Sequence, residues 1–110
     1  MSQLEEDLLR STVRGFSRLV ILWVLSRKAM SGYGVSKELK SLTGWSFNPG
    51  VVYPLLYDLE ENGLIEGQWT KKGRRRIKCY SATANGCDFL NRIKGLLSAP
   101  IKEVLKDLTS

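Results

Sequence analysis

Seven consecutive apolar residues, Leu19-Val20-Ile21-Leu22-Trp23-Val24-Leu25, constrain this chain more than any other feature. On a helix, Phe16, Leu19, Val20 and Trp23 form one face, while Ile21, Leu22, Val24 and Leu25 fill the others. A helix that is apolar all round has to be packed on more than one side. A chain of 110 residues has the length of one small domain, so its own core supplies one side and a second subunit the other. The run is far too short to cross a bilayer, which needs roughly 20 apolar residues. The start, MSQLEEDLLRS, is acidic and polar where a signal peptide is basic and then apolar, so the expected location is the cytoplasm, away from any membrane.

The residues around the run read as an ordered series of elements. Ser2 and Glu5 have capping-box spacing, and Glu5, Glu6 and Asp7 suit the first turn of a helix over residues 3–14 with an apolar stripe of Leu4, Leu8, Leu9 and Val13. Gly15 predicts a break before a second helix from Phe16 to Ser26. Ser31-Gly32-Tyr33-Gly34 turns into a third helix, with Val35, Leu39 and Leu42 at helical spacing and Thr43-Gly44 at its end. After a short loop, Asn48 is an N-cap and Pro49 a first helical residue, opening a fourth helix that runs to Asn62 and stops at Gly63. Its core face is Val52, Leu55, Leu56 and Leu59, and Pro54 tightens or kinks its start. Leu64–Trp69 and Arg75–Ala82 read as the strands of a hairpin with its tip around Lys71-Lys72-Gly73. Thr83 caps a last helix with a stripe of Leu90, Ile93 and Leu97. Pro100 interrupts it, by a kink or by starting a separate helix, before Ile101, Val104, Leu105 and Leu108 resume the pattern.

Charge locates the functional surface. The chain carries a formal +6, and residues 70–82, TKKGRRRIKCYSA, hold six basic and no acidic side chains. Such a cluster on a hairpin tip points to a polyanion. The order helix, helix, helix, helix, strand, basic turn, strand, helix is that of a winged helix-turn-helix: a mainly α fold with a small two-stranded β wing. Here it has extra N- and C-terminal helices for dimerisation. Residues 1–110 form a single domain in this reading, with the N-terminal helix at 3–14, the winged-helix core at 16–82 and the C-terminal helical region at 83–108.

The fourth helix fits a DNA major groove, and its open N-terminus at Asn48, Gly50 and Val51 offers amides to a phosphate. Tyr53 and Tyr57, one turn apart opposite the core face, are the candidate base readers; the bland alternative is that they cover a neighbouring helix. The helix has no Lys or Arg, so affinity is assigned to Lys71, Lys72, Arg74, Arg75, Arg76 and Lys78 on the wing. Lys37 and Lys40 on the preceding helix add phosphate contacts or are simply solvated. The double-stranded DNA would be bound by a homodimer whose interface uses Leu4, Leu8, Leu9, Leu90, Ile93 and Leu97, apolar surface that one small domain cannot hide.

Other chemistry is poorly provided for. With no histidine and only Cys79 and Cys87, the chain lacks the commonest general base and the makings of a zinc site, so neither enzyme activity, metal nor cofactor is expected. Both cysteines read as inert thiols, with a redox switch favoured only by the positive charge around Cys79 as the lesser alternative. Trp23, Trp45 and Trp69 either line a cavity for a flat aromatic effector or belong to core and subunit contacts. A winged helix used only to bind proteins is the main rival reading, and the cationic hairpin argues against it.

The run SGYGVSKELKSLTGWSFNPGVVYPLLYDLEENGLIEGQW, followed by GRRRIKCYSATANG, resembles the PadR family of transcriptional regulators. Its most specific part, NPGVVYPLLYDLEENGLIE, is similar to that family's recognition helix. The resemblance implies a homodimeric regulator, most simply a repressor, that grips a pseudo-palindromic operator through Pro49–Tyr57 and the wing and dimerises through its terminal helices. It also implies a small aromatic effector for some members.

Overall fold

The computed structural model describes residues 1–110, Pro49 by its backbone alone. The order is α1 (Gln3–Arg27), β1 (Met30–Ser31), α2 (Gly32–Thr43), α3 (Pro49–Glu61), β2 (Ile65–Lys72), β3 (Arg75–Ala82), α4 (Ala84–Leu96) and α5 (Ile101–Leu108). Among the described residues no helix is long and apolar enough to cross a membrane.

The expected break at Gly15 does not occur, and one helix of 25 residues runs from Gln3 to Arg27. Its start is closed by the expected capping box. Glu5 N–H donates to Ser2 Oγ at 3.1 Å, Ser2 N–H donates to Glu5 Oε1 at 3.2 Å, and hydrogen bonding from the Ser2 hydroxyl first and the Ser2 N–H second holds the Glu5 carboxyl below its usual range. A mid-helix glycine costs only about 1 kcal/mol against alanine, too little to end a helix that is capped at its start and anchored by burial at its end. That anchor is Ile21, Leu22, Val24 and Leu25, which turn into the core. Burying each such side chain stabilises the fold by about 1.5–3 kcal/mol.

The core collects Ile21, Leu22 and Leu25 of α1, Val35 and Leu39 of α2, and Val52, Leu55, Leu56 and Leu59 of α3, closed by Ile65 and Tyr80 of the sheet. The four α3 positions are those the helical period selects. Leu42, the third apolar residue at that spacing, lies in the last turn of α2 and is half exposed. Gly44 ends α2 in the left-handed conformation, with φ of 75°, and its N–H donates to Lys40 C=O at 2.8 Å.

The sheet has three strands, in the order β1-β3-β2, rather than the two expected. The added strand is Met30–Ser31, which pairs antiparallel with Tyr80 and Cys79. Two residues are too few to show an alternating pattern, so nothing marks them in the sequence. β2 also continues to Lys72, which pairs with Arg75, so the tip is the two-residue turn Gly73-Arg74 rather than the residues before it. Gly73 has φ of 66°, as the first central position of a tight hairpin turn requires.

Thr83 joins this sheet to α4. Its Oγ1 accepts from Gly86 N–H at 3.0 Å and donates to Gly63 C=O at 2.6 Å, while its own N–H donates to Leu64 C=O at 3.1 Å. Gly86 lies so close to Leu64 that a Cβ there would collide with the Leu64 carbonyl oxygen. The chain then breaks at Ser98–Pro100 and resumes as the separate helix α5, one of the two courses expected at Pro100.

Candidate nucleic-acid interface

α2 and α3 form the helix-turn-helix, and α3 presents its first two turns outward. Asn48 takes the extended conformation of an N-cap, but its side chain makes no capping hydrogen bond. The capping expected of Asn48 is thus only a matter of backbone: Val51 N–H donates to its C=O at 3.0 Å. The carboxamide lies beside Gly50, whose Cβ would be 3.1 Å from Asn48 Oδ1. Asn48 and Gly50 are exposed, Val51 is half-buried, and the side chain of Pro49 lies outside the described residues. α3 passes through Pro54 without interruption.

Tyr53 and Tyr57 leave α3 on its outer face, 49% and 63% exposed. Tyr57 is the freer of the two. Tyr53 lies against the start of α2, where a Cβ on Gly32 would stand 2.6 Å from its ring. Glycine at that position is what lets Tyr53 settle there. Both phenol oxygens remain able to donate a hydrogen bond outward.

The wing faces Tyr53 across a cleft of about 840 Å³, lined also by Tyr33, Trp69, Lys72, Arg75 and Arg76 among others, while Tyr57 borders a smaller cleft with Lys78 and Tyr80. Register sorts the hairpin into two faces. Trp69 pairs with Lys78 and Lys71 with Arg76, so these four share one face; Lys72 and Arg75 pair on the other. Lys71, Lys72, Arg74, Arg75 and Arg76 are all exposed. The Arg76 guanidinium lies 5.2 Å from the centre of the Trp69 ring, a contact that orients a flexible cation over an exposed indole.

Lys78 is placed differently from its neighbours. Its Nζ is 2.9 Å from Glu60 Oε1 on α3 and sits between Tyr80, at 5.2 Å, and Trp69, at 6.0 Å. Donation to the Glu60 carboxylate raises the Lys78 pKa, and burial raises that of the Tyr80 phenol. Lys78 therefore serves an internal pair, while the other five wing cations face solvent. Asp58 is likewise neutralised, by Arg18 Nη2 at 2.8 Å. Both pairings remove acidic charge from α3, which would otherwise repel a polyanion. Lys37 and Lys40 of α2 are exposed, and the Lys37 ammonium lies 5.5 Å from the Tyr33 ring centre. Sequence reasoning misses Tyr33 and Trp69 as residues of this cleft. An exposed aromatic beside a cation is visible only once strand register and helix starts are known.

A second surface of the molecule is apolar. Leu4, Leu8 and Leu9 are exposed on the projecting half of α1, and Phe16 and Trp23 continue that exposure toward the core. Leu90, Ile93 and Leu97 are half-buried, Leu90 partly against the chain's own core, and they border a groove between α1 and α4 with Leu19, Val20 and Trp23. Phe89, Leu96, Ile101, Val104 and Leu108 add exposed apolar surface. The three tryptophans do not gather round one cavity: Trp23 borders this groove, Trp69 the wing cleft, and Trp45 meets Phe47 edge-on at 6.4 Å. Cys79 and Cys87 are free thiols, and among the described residues no cluster of three metal-ligating side chains occurs.

A helix-turn-helix followed by a cationic hairpin that shares a cleft with its second helix defines a winged-helix protein. Comparison with known proteins narrows the class. Residues 21–92 match the Transcriptional regulator PadR-like family, and the chain belongs to that family of transcriptional regulators, which are not enzymes. It is 37% identical over 78 residues to the transcriptional regulator YqjI of Escherichia coli, a match covering 69% of this chain and 36% of that protein. The chain thus spans little more than a third of that longer relative. It is 31% identical over 97 residues to the transcriptional regulator Rv3488 of Mycobacterium tuberculosis, covering 88% of this chain and 90% of that protein. Among solved structures it resembles Bacillus subtilis PadR in complex with operator DNA, with a TM-score of 0.62, 29% identity, and coverage of 68% of this chain and 44% of that one.

Proposed function

We propose that this regulator binds double-stranded DNA sequence-specifically as a homodimer in the cytoplasm and acts as a repressor by occluding a promoter. One observation carries the reading: Tyr53 of α3 and the free wing cations Lys72, Arg75 and Arg76 line a single cleft. In the proposed complex the first turns of α3 enter the major groove, where Asn48, Gly50, Val51, Tyr53 and Tyr57 meet base edges and the nearest phosphate. Lys71, Lys72, Arg74, Arg75 and Arg76 hold the flanking backbone, and Lys37 and Lys40 add phosphate contacts from α2. Base readers without a cation fix sequence, while cations away from the bases supply salt-dependent affinity.

The protein acts as one unit in this reading. Residues 16–82 make the DNA contacts, and residues 3–14 and 83–108 hold the second subunit through Leu4, Leu8, Leu9, Leu90, Ile93 and Leu97. The apolar groove beside Trp23 is where a small aromatic effector would reach that contact. Support for the DNA partner comes from the operator complex of the Bacillus subtilis neighbour.

Selection of duplexes from a random pool tests the proposal. The expected product is a pseudo-palindrome with half-sites about 34 Å apart, or a multiple of it, as two-fold symmetry demands. Failure to enrich any sequence at moderate salt would leave the protein-binding role of a winged helix as the better account.

A further inference from the structure

Glu60 sits near the C-terminal end of the helix assigned to base reading, where an unpaired carboxylate would weaken DNA binding. The structure spends it on Lys78. The pair spans from α3 to β3 with 2.9 Å between Nζ and Oε1, and both side chains are about three-quarters buried. Its surroundings are shaped to hold it. Gly67 on β2 pairs across the hairpin with Tyr80, and a Cβ on Gly67 would collide with Lys78 Cε and stand 3.0 Å from Glu60 Oε2. The missing side chain therefore makes the space in which the two charges meet. The ammonium also lies over the Tyr80 ring, 5.2 Å from its centre, and the Trp69 ring, 6.0 Å from its centre.

The hairpin is long, and Thr70 to Arg76 are all exposed. Its base is held by β1 and by the buried Ile65 and Tyr80, and midway along its length the Lys78–Glu60 pair ties it to α3. A partly buried ion pair with one permitted geometry gives direction more than stability.

We propose that Glu60 and Lys78 are positioning residues for recognition: their bond sets the angle between the wing and α3, so that the wing cations and the α3 readers engage one DNA duplex together. The inference rests on the DNA-binding reading above. It makes a prediction opposite in sign to simple electrostatics. Glu60→Gln removes one negative charge and frees Lys78, so charge alone would strengthen binding to every duplex and steepen the salt slope by about 0.9 for one new phosphate contact. A strut predicts that affinity for the selected duplex falls, on the order of tenfold, while affinity for a scrambled duplex holds or rises.

The experiment measures affinity of the full chain for the selected and a scrambled duplex across a salt series. Variants are Glu60→Gln, Gly67→Ala and the exchange Glu60→Lys with Lys78→Glu, with thermal melting followed in parallel. Gly67→Ala disturbs the pair with net charge unchanged and is expected to lower the ratio of specific to scrambled affinity as Glu60→Gln does. The exchange, which restores an ion pair, is expected to recover a large part of that ratio relative to Glu60→Gln. Equal or tighter specific binding by Glu60→Gln with the ratio unchanged would overturn the strut. A wild-type protein that does not distinguish the two duplexes would instead overturn the DNA-reading proposal on which it stands.

Discussion

Over the outer half of the wing, from Trp69 to Arg76, five of the exposed side chains are cationic, whereas along residues 3–16 of α1 and along α5 leucines, isoleucine and valine stand exposed on one side of each helix. Both regions project from the same core, and neither adds much to it. Exposed charge needs no partner to be stable, because water solvates it well. Exposed leucine at this density does, because contiguous apolar patches mark contact surfaces. In α5, Ile101, Val104, Leu105 and Leu108 keep one apolar stripe, and none of them is fully buried. The wing is thus complete as it stands, and in the proposed dimer the terminal helices are halves of something larger.

The largest effect that would break this contrast lies on the wing. Replacing Arg74, Arg75 and Arg76 together with alanine is expected to weaken selected and scrambled duplexes alike by at least about tenfold and to flatten the salt slope by about 0.9 per lost contact. The fold should be unchanged, since all three side chains are exposed. An unaltered slope would move the polyanion surface elsewhere.

Next comes the apolar surface. Leu8→Lys with Leu9→Lys places two charges where burial against a second chain would stabilise by roughly 1.5–3 kcal/mol per leucine. Light scattering at micromolar concentration is expected to show monomer, with near-ultraviolet dichroism of the core retained. Continued dimerisation would shift the interface wholly onto α4 and α5.

Tyr53→Phe and Tyr57→Phe sharpen the other side of the comparison. Each keeps the ring and deletes one hydroxyl, so each is expected to cost on the order of 1 kcal/mol in specific affinity, with scrambled binding unaffected. Selection from a random pool by each variant shows whether sequence preference changes; unchanged preference and affinity would place base reading outside these tyrosines.

The smallest expected effect is a gain. A Cβ at Gly15 meets nothing within 4 Å, so Gly15→Ala should stabilise α1 by roughly 0.5–1 kcal/mol. That gain should raise the melting temperature by several degrees. A drop instead would mean that another chain's side chain closes on Gly15 and that the subunit contact reaches further along α1 than its first three leucines.

Legibility in the residues divides along similar lines. Val52, Leu55, Leu56 and Leu59 are legible because a helix with one buried face repeats its apolar residues at a fixed period, and all four are buried. The wing cations are legible because charge clusters in sequence stay clustered across a hairpin. Three features are not legible. Gly15 signals a break by local propensity, yet the burial of Ile21, Leu22, Val24 and Leu25 outweighs it. Met30–Ser31 become a strand only because β3 is there to receive them. Lys78 looks like one more wing cation until the strand register turns it toward Glu60. In each case the deciding partner is distant in sequence, and neither composition nor spacing carries that information.

Gly86 has a bearing on how such a protein can diversify. Where most helix contacts can be retuned by exchanging one side chain for another, the approach of α4 to Leu64 is backbone against backbone, and any Cβ would land on a carbonyl oxygen. That joint offers descent no gradual alternatives. The stretch Ser98–Pro100, by contrast, is exposed and lies beyond the joint. Lengthening, shortening or replacing the chain after Leu97 leaves the bearing of α4 over the core untouched, so new C-terminal attachments can be tried there while the reading head is inherited intact.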